Sequence, residues 1–412
     1  MSKRLDRRGF LKKSLAGVSG VALAPAVWPA SPRASGAQTA PATIPSLPGR
    51  PLGRTGIETP LISMGTSEVT SVDLIRRGYD AGIKIFFSAT YYGRGNNERL
   101  VGEALRSLPR ESFVVGTAAT PEGLNPRAGT LPKDLTAQSY MKTAEDSLKR
   151  FGLDRVDILL LPFADLEESV LSEQILAAMT ELKKQGKIRF AGIATHGARP
   201  GVLQAAVQAK IYDVAMVAYN FKSANKDALA EAMASAAKAG MGVVAMKTTA
   251  GVARDKSGAD PMNINAALKW VLQNPNVASI VSGMSSVEEL QRNLEMLKDP
   301  ALTVKDLADL DAACDPAEPG LYCQQCRTCL PQCPKGLDIP TLMRSYMYAY
   351  GYRNLGQARA ALDTVEVDGG TCETCGVCSV RCASGFDVKD RIQDIVRLKD
   401  VPLEFLKGRM AV

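Results

Sequence analysis

DILLLPFADLEESVLSEQILAAMTELKKQGKIRFAGIAT, residues 157–195, places two short apolar runs either side of a longer patterned stretch. DILLLPF (157–163) and FAGIAT (190–195) are apolar almost without interruption, as strands buried on both faces are. SVLSEQILAAMTELKKQGK (169–187) carries an apolar stripe at helical spacing and gathers lysines in its last turns, which predicts one helix there. Strand, helix, strand is the unit of a parallel sheet. The rhythm continues in both directions, with strands expected at 60–65, 84–89, 113–118, 213–219, 242–247 and 278–283, and a further helix at 96–108. Eight such units in about 250 residues predict a (β/α)₈ barrel. A doubly wound open sheet is the alternative, but no glycine-rich fingerprint follows the first strand. In a barrel, chemistry belongs at the C-terminal ends of the strands.

The apolar content of 46% is that of an ordinary globular protein. Net charge is +7, yet residues 1–40 hold seven Lys and Arg against one Asp, or +6, leaving +1 for the rest. A basic balance confined to one end gives no reason to expect a nucleic-acid partner. That end reads MSKRLDRRGFLKK, then SLAGVSGVALAPAV, then small residues to Ala37. A charged segment, a short apolar run and a small-residue site predict an export signal over 1–37. The run falls short of the roughly 20 residues a membrane span needs, and Pro25 interrupts it. DRRGFLK resembles the twin-arginine motif, with Arg7 and Arg8 as its pair. The resemblance implies export of the folded protein to the periplasm by the twin-arginine machinery. Residues 38–50 are a Pro-rich linker.

Past the barrel, expected over 51–315, composition changes. CQQCRTCLPQCP (323–334) and CETCGVCSVRC (372–382) share the spacing C-x₂-C-x₂-C-x₃-C. Four disulfides or a pair of zinc sites would also use eight cysteines, but neither accounts for the third and fourth recurring identically in both runs. The spacing resembles that of two-cluster ferredoxins, although the second run ends Cys–Ala where the first ends Cys–Pro. In that family the fourth cysteine of each run serves the other cluster. The resemblance therefore implies two [4Fe–4S] clusters. Cys323, Cys326, Cys329 and Cys382 would hold one; Cys372, Cys375, Cys378 and Cys333 would hold the other. The spacer reads as helix on both sides of Gly351, so 316–412 is expected to be a small, mainly helical ferredoxin-like domain. Cys314 stands apart and reads as a buried small residue. Tyr346, Tyr348, Tyr350 and Tyr352 read as packing around the clusters.

The barrel resembles the aldo-keto reductase family. LGRTGIETPLISMGT (52–66), FFSATYYGRGNNERLVGEAL (86–105), RVDILLL (155–161), KIRFAGIATHG (187–197), VAYN (217–220), GVVAMK (242–247) and SIVSGMSSVEELQRNL (279–294) follow that family's landmarks in order. The family reduces carbonyls with a Tyr acid, a Lys and an Asp that tune it, and a His that orients substrate. Aligned here, Tyr92 keeps the Tyr, while Phe87, Ala118 and Pro162 stand at the Asp, Lys and His positions. A tyrosine without that lysine titrates near ~10 and is a poor acid at neutral pH. The resemblance also implies coenzyme contacts: Thr195 and His196 at the nicotinamide amide, Tyr219 against its ring, and Gly283, Ser285, Glu289 and Asn293 at the adenosine end. Ser286 stands where a basic residue would select a 2′-phosphate. Lys247 faces the same mouth as a candidate anion ligand, and His196, the chain's only histidine, is a candidate for proton transfer.

Three functions follow as expectations. The first is an exported iron–sulfur oxidoreductase passing single electrons to or from a redox partner protein, with carbonyl reduction not expected. The second is an NAD(P)-dependent reductase with a site rebuilt around Tyr92 and His196. The third is a non-enzymatic electron-transfer or docking subunit.

Overall fold

A hairpin opens the fold and closes one end of it. In the computed structural model, which describes residues 45–126, 128–197, 200–251, 263–314 and 320–406, β1 (Gly49–Pro51) pairs antiparallel with β2 (Glu58–Pro60). Gly49 and Arg50, placed in the linker by the sequence reading, are thus part of the hairpin. Arg50 donates to the carbonyls of Leu272, Asn274 and Val277, which pins the hairpin to the barrel. Leu52 and Ile57 plug the interior from below. Gly53 has φ 55°, and a Cβ there would lie 2.3 Å from Gly242 N, so only glycine fits. The twin-arginine stretch, the signal over 1–37 and the linker up to 44 lie outside the described residues.

Eight parallel strands close the barrel: β3 (Ile62–Gly65), β4 (Ile85–Ala89), β5 (Val114–Ala118), β6 (Val156–Leu161), β7 (Ile188–Thr195), β8 (Tyr212–Ala218), β9 (Gly242–Met246) and β10 (Val277–Gly283). The seam pairs Gly283 of β10 with Gly65 of β3. The outer layer comprises α1 (Val72–Asp80), α2 (Asn96–Leu105), α3 (Ala137–Phe151), α4 (Glu167–Val170), α5 (Glu173–Lys184), α6 (Pro200–Ala209), α7 (Lys226–Lys238), α8 (Ile264–Leu272), α9 (Val287–Met296) and α10 (Val304–Ala312). The single helix expected over 169–187 is two, α4 and α5, broken at Leu171 and Ser172.

Strand alternation sorts the apolar residues into two cores. Phe87, Ala118, Leu160, Ala194, Met216 and Met246 point inward. Their neighbours, such as Val115, Leu159, Ile193, Val217 and Ala245, pack outward against the helices. A bulge between Val277 and Ser279 shifts the alternation of β10 and turns Val281 inward. At the lower end, Asp157 is held by Arg110 and Arg189, and Asp213 by Arg54 and Lys183. Conserving charge balance there serves stability, since the chemistry lies at the other end.

The C-terminal region adds α11 (Ile339–Tyr350), α12 (Leu355–Leu362) and α13 (Val388–Ile395). Its core, with Leu342, Met347, Leu362 and Ile392, is continuous with Phe221, Ala250, Ala266, Ala267 and Leu310 of the barrel. Cys314, expected to be buried, is exposed just beyond α10. Among the described residues, no helix is long and apolar enough to cross a membrane.

Candidate functional site

Phe87 of β4, Ala118 of β5 and Pro162, one residue past β6, stand at the positions expected to carry charged groups, and all three are apolar. Phe87 lies against Gly116, where an added Cβ would sit 2.4 Å from its ring. Ala118 is 5% exposed and Pro162 is buried. Tyr92 remains, its ring edge-on to Tyr91 at 4.9 Å, and its remaining surface faces the mouth. Burial first, then the Tyr91 hydroxyl, raises the Tyr92 pKa well above the ordinary value, so it keeps its proton at neutral pH.

Above these residues lies a cavity of about 670 Å³. Its floor includes Phe87, Ala118, Leu160 and Met246; its roof is Arg344 and Tyr348 on α11, the turn at Tyr352–Asn354, and Gln357 and Ala361 on α12. The iron–sulfur region therefore covers the barrel mouth. Polar ties among the described residues fix it there. Asn354 donates to Glu68 Oε2 (2.9 Å). Arg327 donates to the Ala128 carbonyl (2.9 Å) and lies 4.0 Å from Asp165. Gln324 bridges the Lys222 carbonyl and the Ala224 N–H.

Asp165, just beyond β6, organises the end of β7. Its Oδ1 accepts from Thr195 Oγ1 (2.7 Å), His196 N (2.8 Å) and Gly197 N (2.7 Å). His196 is thereby aimed at the cavity, stacked on Phe163 at 5.6 Å. Burial first, then the Lys247 and Arg344 cations, drive its pKa far below the ordinary value, with Asp165 opposing. The imidazole is neutral at physiological pH, and its buried Nδ1 has no hydrogen-bond partner.

Lys247 follows β9 with a left-handed backbone (φ 57°), a conformation costing on the order of 1–2 kcal/mol in a non-glycine residue. Its ammonium sits 5.3 Å from the Tyr348 ring centroid and 5.5 Å from that of Tyr352. Burial, the largest influence on its pKa, favours the neutral form. The hydroxyls of Tyr348, Tyr352, Tyr91 and Tyr322 outweigh it together and raise the pKa above the ordinary value, so Lys247 stays charged. Neither Lys247 nor Arg344 has a carboxylate partner among the described residues; Arg344 donates only to Thr341 Oγ1 (3.1 Å). Two cation–π contacts contribute about 1–2 kcal/mol each, against a desolvation cost of several kcal/mol for a buried ammonium. These two cations therefore stand at the mouth without an ion-pair partner among the described residues.

The coenzyme contacts expected from the sequence divide. His196, Lys247, Gly283, Glu289 and Asn293 line the cavity. Ser285 instead donates its N–H and hydroxyl to Glu289 Oε2 (2.7 and 2.5 Å). Thr195 and Tyr219 are corrected: both have the outward parity of their strands, one residue off the inward Ala194 and Ala218. Thr195 is spent on Asp165, and Tyr219 packs on Trp270 of α8 at 5.0 Å. Of the four tyrosines, Tyr348 and Tyr352 face the cavity, while Tyr346 and Tyr350 stack on each other at 4.4 Å, Tyr350 donating to Asp394 (2.5 Å).

The cysteines form two groups, and none is in a disulfide. Burial first, then Cys329, Cys382 and Cys326, push the Cys323 thiol up to about 12 against an opposing Gln325 N–H. Burial first, then Cys375, Cys333 and Cys378, raise Cys372. Each neighbourhood is thus three cysteines of one run plus the fourth of the other. Among the described residues no three His, Cys, Asp or Glu side chains come close enough to share one metal ion. A cubane is wider than an ion and takes one thiolate at each of four irons. Buried thiols that oppose each other's ionisation need such a positive centre to offset them. The donor set thus fits two [4Fe–4S] clusters. Cys323 also lines a small recess with His196, Lys247, Tyr322 and Arg344, so the first group borders the cavity.

Asp165 and Arg344 had no assigned role in the sequence reading, and Tyr348 and Tyr352, read there as packing around the clusters, line the cavity instead. Asp165 shares a segment with the Pro162 landmark, but its partners are 30–32 residues away; the roof residues gain meaning only from docking.

Comparison with known proteins agrees with this architecture. The model of the aldo/keto reductase family matches residues 56–265, and that of a 4Fe-4S dicluster domain matches residues 322–387. L-galactose dehydrogenase of Arabidopsis thaliana is 26% identical, covering 65% of this chain and 95% of that protein. The holo form of aldo-keto reductase AKR11C1 from Bacillus halodurans superposes with a TM-score of 0.53 at 20% identity, over 65% of this chain and 96% of that one. An aldo-keto reductase of Klebsiella pneumoniae, solved with NADPH, gives 0.51 at 23%, over 63% and 93%. The two structural likenesses establish the fold alone; the family match, spanning half the chain, establishes more: this protein belongs to the aldo/keto reductase family, and its barrel is followed by a 4Fe-4S dicluster domain.

Proposed function

We propose that this is an exported iron–sulfur oxidoreductase that exchanges single electrons with a ligand held in the barrel-mouth cavity, in place of the family's acid-assisted carbonyl reduction. The clusters, when bound, supply one-electron transfer. The observation that carries the reading is Cys323, a thiol of the first group, bordering the same recess as His196 and Lys247. Phe87, Ala118 and Pro162 leave Tyr92 without a partner to lower its pKa. Lys247 and Arg344 hold positive charge over the ligand, and the roof excludes water. The second cysteine group is the side for a redox partner protein, with Val377, 87% exposed, between Cys375 and Cys378. Export folded, through the twin-arginine route to the periplasm, suits a protein whose cofactors are inserted before transport.

A second reading, an NAD(P)-dependent reductase, draws on the cavity's reach to Gly283, Glu289 and Asn293 beside α9. Anaerobic purification, iron and sulfide counting, EPR of the reduced protein and titration with NADH and NADPH separate the two. About eight irons, expected for two cubanes, with no coenzyme binding supports the first reading. Reduction of the clusters by a bound coenzyme supports the second. An iron-free protein overturns the first.

A further inference from the structure

Where the lower end of the barrel pairs its carboxylates with cations, two cations of the upper end, Lys247 and Arg344, have no carboxylate partner among the described residues. Lys247 and Arg344 reach the same recess from opposite sides, one from the barrel and one from the roof. A left-handed backbone holds Lys247 there, and Arg344 has only the Thr341 hydroxyl. Beside them His196 presents an unpartnered, buried Nδ1. The adjoining walls are aromatic: Tyr91, Phe163, Tyr348 and Tyr352. A guanidinium binds a carboxylate through two parallel hydrogen bonds, and an ammonium adds a point charge. Flat rings favour a flat, apolar body.

We propose that this cavity is a binding site for an aromatic or conjugated organic acid, its carboxylate between Lys247 and Arg344 and its ring system against the tyrosines. His196 Nδ1 hydrogen-bonds a polar substituent of that ligand. The inference shares the cavity with the electron-exchange reading and needs only that a ligand binds there.

The test is calorimetric titration of the oxidised, anaerobically purified full chain with 2-naphthoate, its neutral isostere 2-naphthamide, and inorganic phosphate. The expected result is naphthoate binding at least tenfold more tightly than naphthamide, with phosphate failing to displace it. Lys247→Met and Arg344→Met should each weaken naphthoate tenfold or more and change naphthamide by less than twofold; Lys247→Arg should restore most of the loss. Equal binding of acid and amide overturns the proposal, as does phosphate binding as tightly as naphthoate. If either Met variant fails to fold, the acid–amide comparison on the native chain still decides. Because the titration involves no electron transfer, its failure leaves the electron-exchange reading standing, and the reverse holds too.

Discussion

Replacing Asp165 by alanine should release the segment that aims His196 into the cavity. One carboxylate oxygen accepts from a hydroxyl and two backbone N–H groups at 2.7–2.8 Å. Hydrogen bonds to a charged acceptor contribute about 1.5–3 kcal/mol each. Loss of the two backbone bonds alone therefore amounts to about 3–6 kcal/mol of local stability, or roughly 10²–10⁴-fold faster amide exchange at about 1.4 kcal/mol per decade. Asp165→Asn keeps an acceptor oxygen at the same place and should cost about a tenth of that increase in rate or less. Hydrogen exchange with mass spectrometry on a peptide covering residues 190–197 reads the effect, with the peptide over β4 as internal control. A less than tenfold acceleration in Asp165→Ala relative to Asp165→Asn would refute the reasoning, because the segment would then be held by something other than this carboxylate.

Other perturbations test the scaffold. Glu98, with no side-chain exposure, accepts from Arg150 Nε (2.5 Å) and Thr117 Oγ1 (2.7 Å); Arg150→Ala strands that carboxylate and should cost about 3–5 kcal/mol in urea unfolding. Gly102→Ala should cost about 1–3 kcal/mol, since its Cβ would fall 2.0 Å from the Phe151 carbonyl oxygen, and backbone cannot move aside as a side chain does. His196 is neutral in the native state and protonates in the unfolded chain near its ordinary 6.5. The unfolded state thus binds more protons below that pH, and stability falls as pH drops, by up to about 1.4 kcal/mol per unit. His196→Gln, which removes the only histidine, should flatten the wild-type decline in urea midpoint between pH 7 and 5.5; parallel profiles would show that the imidazole is not buried neutral.

The barrel was legible because its strands are apolar on both faces: each of the eight runs sits within two residues of its observed strand. The helix break at Leu171–Ser172 was not, since a leucine and a serine disturb neither stripe nor propensity. The two cysteine runs were legible from their spacing, and the exchange of the fourth cysteine between groups from the resemblance to two-cluster ferredoxins. The pocket was only half legible. Phe87, Ala118 and Pro162 follow from alignment with a pattern, but Thr195 and Tyr219 were assigned by landmark when strand alternation, counted from Ala194 and Ala218, would have turned both outward. Asp165, Arg344 and Tyr348 act across 30 to more than 90 residues of sequence, and no local signal marks such a meeting.

The covering of the mouth has a kinetic consequence. The roof is not a hinged flap: Leu342 and Met347 share one apolar interior with Ala266 and Ala267 of α8, so lifting it would expose that interior to solvent. Traffic into the chamber must use its rim or wait for partial unfolding of α11 and α12. A fixed cover of this kind leaves the rim as the place where passage of a guest is controlled, and under the electron-exchange proposal it would be the rim that sets how long a guest stays.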